Sequence, residues 1–191
     1  MIILDLCGGT GAWSKPYKEA GYMVLNLTLP EVDVRLFKWD PYINLHIHGI
    51  LAAPPCAEFS YAKHFHGKGN YAHDYKEGLS IVDACLRMVV LYKPKWWALE
   101  NPRNYLRKWM GLPKFVFDPW EFGDYYQKKT CIWGEFNIPI PTVAVKPEGL
   151  VKFSMLKSKE IYPEYYGKLT RQERRAITPP GFSQAFFEAN P

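Results

Sequence analysis

The sequence predicts an α/β fold built on a mostly parallel sheet, and three observations carry that reading. Short apolar runs alternate with stretches whose apolar residues recur at helical spacing, the pattern of strand–helix–strand units. The first run ends in an acid and a glycine cluster, LDLCGGTGAW, before a helical stretch begins. A later run, ILAAPPCAEFS, stops at a Pro-Pro pair that stiffens the chain at a strand's carboxyl end, where open α/β sheets place their ligands.

Taken in order, the runs predict strands at Ile2–Leu6, Tyr22–Asn26, Ile50–Ala53, Trp96–Glu100, Phe115–Phe117 and Cys131–Gly134. Helices are expected over Ala12–Ala20, Gly78–Tyr92 and Pro102–Trp109. In the long one, Leu79, Val82, Leu86 and Val89 or Val90 fall on one face, so it packs on the core, and Cys85 reads as a packing residue. From Ile138 to Thr170 the chain is rich in proline and lysine and poorly periodic, which predicts irregular surface structure rather than a separate domain. At 191 residues the whole chain, 1–191, reads as one domain with a real core.

Composition narrows the function. Hydrophobic residues make up 48% and charged residues 23%, ordinary values for a globular protein. Net charge is +5, a mild bias toward polyanionic partners, and Lys146–Arg175 alone carries eight basic and four acidic residues. Such a cluster also fits a solvated face. Cys7, Cys56, Cys85 and Cys131 lie far apart without metal-ligand spacing, so no metal is expected. The opening MIILDLCGGTG reads as a core strand rather than a signal peptide, and no apolar run approaches the roughly 20 residues of a membrane span. A soluble, cytoplasmic protein with reduced thiols and no membrane partner is the expectation.

Three constellations carry chemistry. In LDLCGGTGAW, glycines between a strand and a helix let backbone approach a nucleotide-type ligand, although such glycines also serve purely structural turns. No Gly-Lys-Ser/Thr follows, so triphosphate chemistry is excluded. Cys56 opens a stiff loop, either as a projecting thiol or as a buried one beside a structural turn. In WWALENP an apolar strand ends in Glu100, Asn101 and Pro102; the carboxylate either caps a helix or faces the same crevice as Cys56, its pKa raised by burial.

DLCGGTG, then PPCAEFS, then LENP, resembles in order the DNA cytosine-5 methyltransferases, and specifically compact, phage-type members. Asp5, Leu6, Gly9 and Gly11 match that family's cofactor loop. Pro54, Pro55, Cys56, Phe59 and Ser60 match its nucleophile signature, and Glu100 and Asn101 its Glu-Asn motif. YYQKKTCIWG is similar to a later basic element, with Lys129 as its cation, and RRAITPPGFSQAFFEANP to the C-terminal motif, so the likeness spans nearly the whole chain. The resemblance implies a Rossmann-like, S-adenosylmethionine-dependent methyltransferase fold, and DNA as partner. It implies Cys56, Glu100 and Lys129 as catalytic residues. The cofactor would be held by Asp5, Leu6, Cys7, Gly8, Gly9, Gly11, Trp13, Asn26, Thr28, Leu29, Asp33, Val34 and Pro54, and the substrate by Pro55, Ser60, Asn101, Pro102 and Lys128. The thiolate would add to carbon 6 of a flipped-out cytosine, activating carbon 5, while Glu100 protonates or hydrogen-bonds ring nitrogen 3.

The departures are Cys7 in place of an aromatic residue, for which Trp13 would substitute, Ala57 for glutamine, Pro102 for valine, and Asn26 or Thr28 where an acid binds the ribose. Only the basic 138–170 segment stands where the family inserts a target-recognition domain. His64, His66 and His73 follow the nucleophile at spacings unsuited to metal, so phosphate or solvent contact is expected. Two other readings remain open: a catalytically weak or inactive nucleic-acid-binding module of the same fold, and the same chemistry on RNA or a free nucleotide.

Overall fold

A computed structural model describes residues 1–38, 44–61 and 72–191. Its six-stranded sheet runs in the order β2-β1-β3-β4-β7-β5, formed by β1 (Ile2–Leu6), β2 (Met23–Leu27), β3 (Ile47–Ala52), β4 (Trp96–Pro102), β5 (Phe115–Phe117) and β7 (Thr130–Glu135). The first four are mutually parallel, and β7 runs antiparallel to both β4 and β5. β1 lies between β2 and β3, so the chain winds outward in opposite directions from the β1/β3 pair. That reversal leaves a crevice at the strands' carboxyl ends, the position where such sheets bind ligands.

Both faces of the sheet are covered, and the period of two along each strand divides its residues between them. Leu4, Leu6, Ile50, Ala52 and Leu99 pack with Val82, Cys85 and Met88 of α2 (Tyr75–Tyr92). Ile3, Leu51, Trp96 and Ala98 pack with Tyr17 of α1 (Lys15–Glu19) and with Phe182 and Phe186 of α5 (Pro180–Ala189). Tyr17 also donates its hydroxyl to the Asn190 carbonyl at 2.8 Å, tying the chain's last residues to the first helix.

The six strands lie where the apolar runs predict them, with ends shifted by up to three residues. The helices differ more. α1 begins at Lys15, because residues 8–14 are turns and the Ser14 hydroxyl is committed to Asp5 instead of capping a helix. α2 begins earlier than expected: Asp74 caps it by accepting from the Glu77 amide at 2.9 Å, and Gly78 lies so close to the Phe59 ring that a side chain there would collide with it. The helix expected over Pro102–Trp109 shrinks to α3 (Arg107–Met110), because β4 continues through Pro102 and Asn104 accepts the Leu106 amide in a side-chain turn.

The basic segment is more ordered than its composition suggests. β6 (Tyr126–Gln127) pairs with β8 (Val151–Lys152), and Tyr126, Phe153, Leu156 and Ile161 bury a small core of their own. Arg174, on α4 (Arg171–Ala176), is buried and donates to the Ser158 and Ile161 carbonyls and the Ser158 hydroxyl, pinning this segment from behind. Among the described residues, no helix is long and apolar enough to cross a membrane, and no group of His, Cys, Asp or Glu side chains could hold a metal ion.

Candidate active site

The turn after β1 is a glycine loop floored by a buried acid. Cys7, Gly9 and Gly11 all have positive φ (57°, 54° and 72°), which only glycine adopts without strain. A side chain at Gly8 would overlap the Asp5 carboxylate, which sits directly beneath the loop. Asp5 is fully buried and accepts from the Ser14 hydroxyl at 2.5 Å, while its second oxygen has no partner. Burial pushes its pKa up to about 6, with the Ser14 hydrogen bond opposing. Asp5 therefore shapes the loop from below and is not exposed to a ligand.

That pKa makes a prediction. An acid whose folded pKa lies above its unfolded value contributes stability that is full below about pH 4 and is lost as pH rises through about 6. The shift is worth about 3 kcal/mol. Asp5→Asn keeps an oxygen for Ser14 and removes the charge. Thermal melts should show the wild type losing stability between pH 4 and 7 relative to the variant, and parallel curves would contradict the assignment.

The end of β2 closes the loop's other side. The Asn26 side-chain amide donates to the Gly9 carbonyl at 3.1 Å, and the Thr28 hydroxyl accepts from the Gly9 amide at 3.1 Å. Both groups expected to meet a ribose thus hold the glycine loop. Asp33 accepts from the Arg35 guanidinium at 2.6 to 3.1 Å, and Arg35 reaches on to Glu77 at 2.7 Å. The hydrogen bonds from Arg35 hold the Asp33 carboxyl below its ordinary range.

Several expected cofactor contacts lie elsewhere. Trp13 is 1% exposed and packs on Phe182 and Phe186, so it offers no face to the crevice; the turn carries it beneath α5 instead. Leu6 and Val34 are core residues, and Leu29 is exposed. The Cys7 thiol packs beside Cys85 and donates or accepts there, pushing the Cys85 pKa up together with burial. What remains open is the surface over Gly9, where nothing lies within 4 Å of the missing side chain. The glycine-floored opening beside Asn26 leaves room for a ligand to approach the backbone closely.

The second half of the site is assembled on β3 and β4. Pro54 is buried and Pro55 exposed, and Cys56 starts a single helical turn, Ala57–Phe59, with φ −88° and ψ −3°. Asn101 is fully buried at the end of β4, donating to the Pro54 carbonyl at 2.9 Å and accepting from Asn104. On the far side of the turn the Tyr105 amide donates to the Phe59 carbonyl at 3.0 Å. The Cys56 loop is therefore held at both ends by the chain leaving β4, which gives Asn101 a positioning role.

Glu100 lies within electrostatic reach of Cys56, and so do Lys128 and Arg175. Burial raises the Cys56 thiol; Lys128 and Arg175 pull it down, and Glu100 raises it further. Burial likewise raises Glu100, with Lys128 opposing. Lys128 donates to the Arg175 carbonyl at 3.0 Å, and both cations lie on the Phe153 ring, at 5.2 and 4.9 Å. Lys129, the cation expected from sequence, is exposed and turned away; only its carbonyl is engaged, by the Arg103 amide. Lys128 and Lys129 form the link between β6 and β7, and nothing in KK says which of them turns inward. Arg175 was not expected; its one signal was the adjacent pair Arg174-Arg175, of which a short helix can bury only one.

Ser60 and Pro102 are half-buried beside this turn. His73 bonds the Glu58 carbonyl at 2.6 Å and stacks on Tyr75 rather than meeting solvent alone, while His64 and His66 lie outside the described residues.

A mostly parallel six-stranded sheet with helices packed on both faces and a glycine turn after its first strand is a Rossmann-like α/β fold. A solved structure shares this fold. A protein assigned as a DNA modification methyltransferase, encoded within an E. coli prophage, aligns with a TM-score of 0.54 over 77% of this chain and 52% of its own, at 16% identity. A mutant DNMT2 from Spodoptera frugiperda aligns at 14% identity over 79% and 54%, with a TM-score of 0.43. The chain thus spans about half the length of these structures. No protein-family model and no curated protein sequence matches it.

Proposed function

We propose that the protein is an S-adenosylmethionine-dependent methyltransferase that modifies carbon 5 of cytosine in DNA through a covalent Cys56 adduct. The observation that carries this reading is the convergence of Cys56, Glu100 and Lys128 at the strand ends beside the open glycine loop. Gly9, Asn26 and Asp33 would hold the cofactor, which supplies an electrophilic methyl group.

In this reading Lys128 and Arg175 favour the Cys56 thiolate, which adds to carbon 6 of the cytosine ring. Glu100, whose pKa burial raises, gives its proton to ring nitrogen 3, so that negative charge does not build up and carbon 5 becomes nucleophilic. After methylation, solvent water takes the carbon 5 proton, the electron pair left behind expels the thiolate and regenerates Cys56, and the ring nitrogen 3 proton returns to Glu100. Asn101 keeps the loop in place through each step. The exposed Lys152, Lys157 and Lys159 add phosphate contacts without base readout.

A second reading, a binding module without turnover, draws support from Asn26, Thr28 and Asp33, all engaged within the chain. Incubation with tritium-labelled S-adenosylmethionine and DNA, RNA or dCMP separates the two. Label is expected in DNA, at carbon 5 of cytosine. Absence of label from all three, with no calorimetric heat from the cofactor at millimolar concentration, would leave the binding module.

A further inference from the structure

Beside the Cys56 turn lies a groove of about 380 Å³ lined by Tyr61, Tyr105, Arg107, Lys108 and Leu112. Its size suits a nucleotide-sized ligand. Tyr61 stands edge-on to Tyr105, ring centres 4.6 Å apart, and is 44% exposed. The Lys108 ammonium sits 4.9 Å from the Tyr105 ring centre. Among the described lining residues Arg107 and Lys108 are cations and none is an acid. Arg107 Nε is buried and has no acceptor among the described residues.

The groove is joined to the candidate active site. Tyr61 follows the Cys56 turn directly, and the Tyr105 amide holds the end of that turn. Arg107 and Glu100 both lie within electrostatic reach of the buried Cys131 thiol.

We propose that this groove is a subsite for an unpaired nucleotide of the substrate strand, next to the target base, so that the preferred substrate is single-stranded nucleic acid. The inference rests on the nucleic-acid reading above. Tyr61 offers an exposed ring beside cations, which is how single strands are gripped: a base stacks on the ring and phosphates meet the charges. A duplex hides the faces of its bases within the stack and cannot fill a concave, aromatic-walled groove without opening.

Fluorescence anisotropy on the full chain without cofactor tests this, using a labelled mixed-sequence oligonucleotide as single-stranded DNA, as RNA, and as a hairpin duplex. The single strand should bind about tenfold or more tighter than the duplex, and Tyr61→Ala and Arg107→Gln should each weaken it about tenfold while leaving duplex binding unchanged. The DNA and RNA arms identify which sugar the subsite accepts. Equal affinity for duplex and single strand, or variants that bind the single strand like the wild type, would overturn the subsite alone. No binding to any of the three at low salt would remove the nucleic-acid reading with it. Should Arg107→Gln melt early, Lys108→Gln and the exposed Tyr61→Ala carry the same test.

Discussion

Cys56→Ser is expected to lower methyl transfer by about 10⁴-fold or more, while nucleic-acid affinity stays within a few-fold of the wild type. Serine fits the same turn, which is set by Pro54, Asn101 and Phe59 rather than by the side chain at 56. What changes is ionisation. Burial already raises the thiol, and Lys128 and Arg175 have to draw it back toward the thiolate. An alcohol ionises far less readily than a thiol, so the same two cations leave it neutral and non-nucleophilic. Tritium transfer to cytosine reads the effect directly. A variant retaining more than a few per cent of activity would eliminate the covalent route, whatever the fold.

The fold was largely legible because its strands are apolar on both faces and each ends in a distinctive residue type. Ile2–Leu6 stops at the glycines and Ile47–Ala52 at Pro-Pro, and both signals survive into the structure. Helix ends were less legible, since they turn on where single hydroxyls and amides bond. Ser14 bonds Asp5 and delays α1, and Asn104 bonds the Leu106 amide and shortens α3. At the site, sequence pointed to Cys56, Glu100 and Asn101 because each closes an apolar strand. It could not tell Lys128 from Lys129, nor that Asp5 and Trp13 lie under the loop rather than over it. Those distinctions depend on which way a two-residue link between strands or an irregular turn points its side chains. Arg175 and the Tyr61 groove were out of reach for a different reason: their neighbours are set by tertiary packing, on Phe153 in one case and on Tyr105 in the other.

Glu100→Gln is expected to slow turnover about a hundredfold at neutral pH and to change the shape of the pH profile. Glutamine keeps the size and can donate a hydrogen bond to a ring nitrogen, but it has no proton to give. In the wild type the two groups work against each other: chemistry needs Glu100 protonated and Cys56 ionised, yet the carboxyl titrates on the acid side and the thiol on the alkaline side. Burial raises the Glu100 pKa, extending its protonated range upward toward the range where thiolate begins to form. The rate should therefore be bell-shaped in pH, limited below by thiol ionisation and above by loss of the Glu100 proton. Removing the carboxylate deletes the upper limb, so the variant's rate should climb with pH to a plateau and its deficit should narrow. It also removes a negative charge that raises the Cys56 pKa, so alkylation of Cys56 by iodoacetamide should reach its midpoint at lower pH than in the wild type. This second readout needs no substrate or cofactor, and it tests the pairing itself. An unmoved alkylation midpoint would separate Glu100 from Cys56, and a bell-shaped profile retained by the variant would assign the upper limb to another acid.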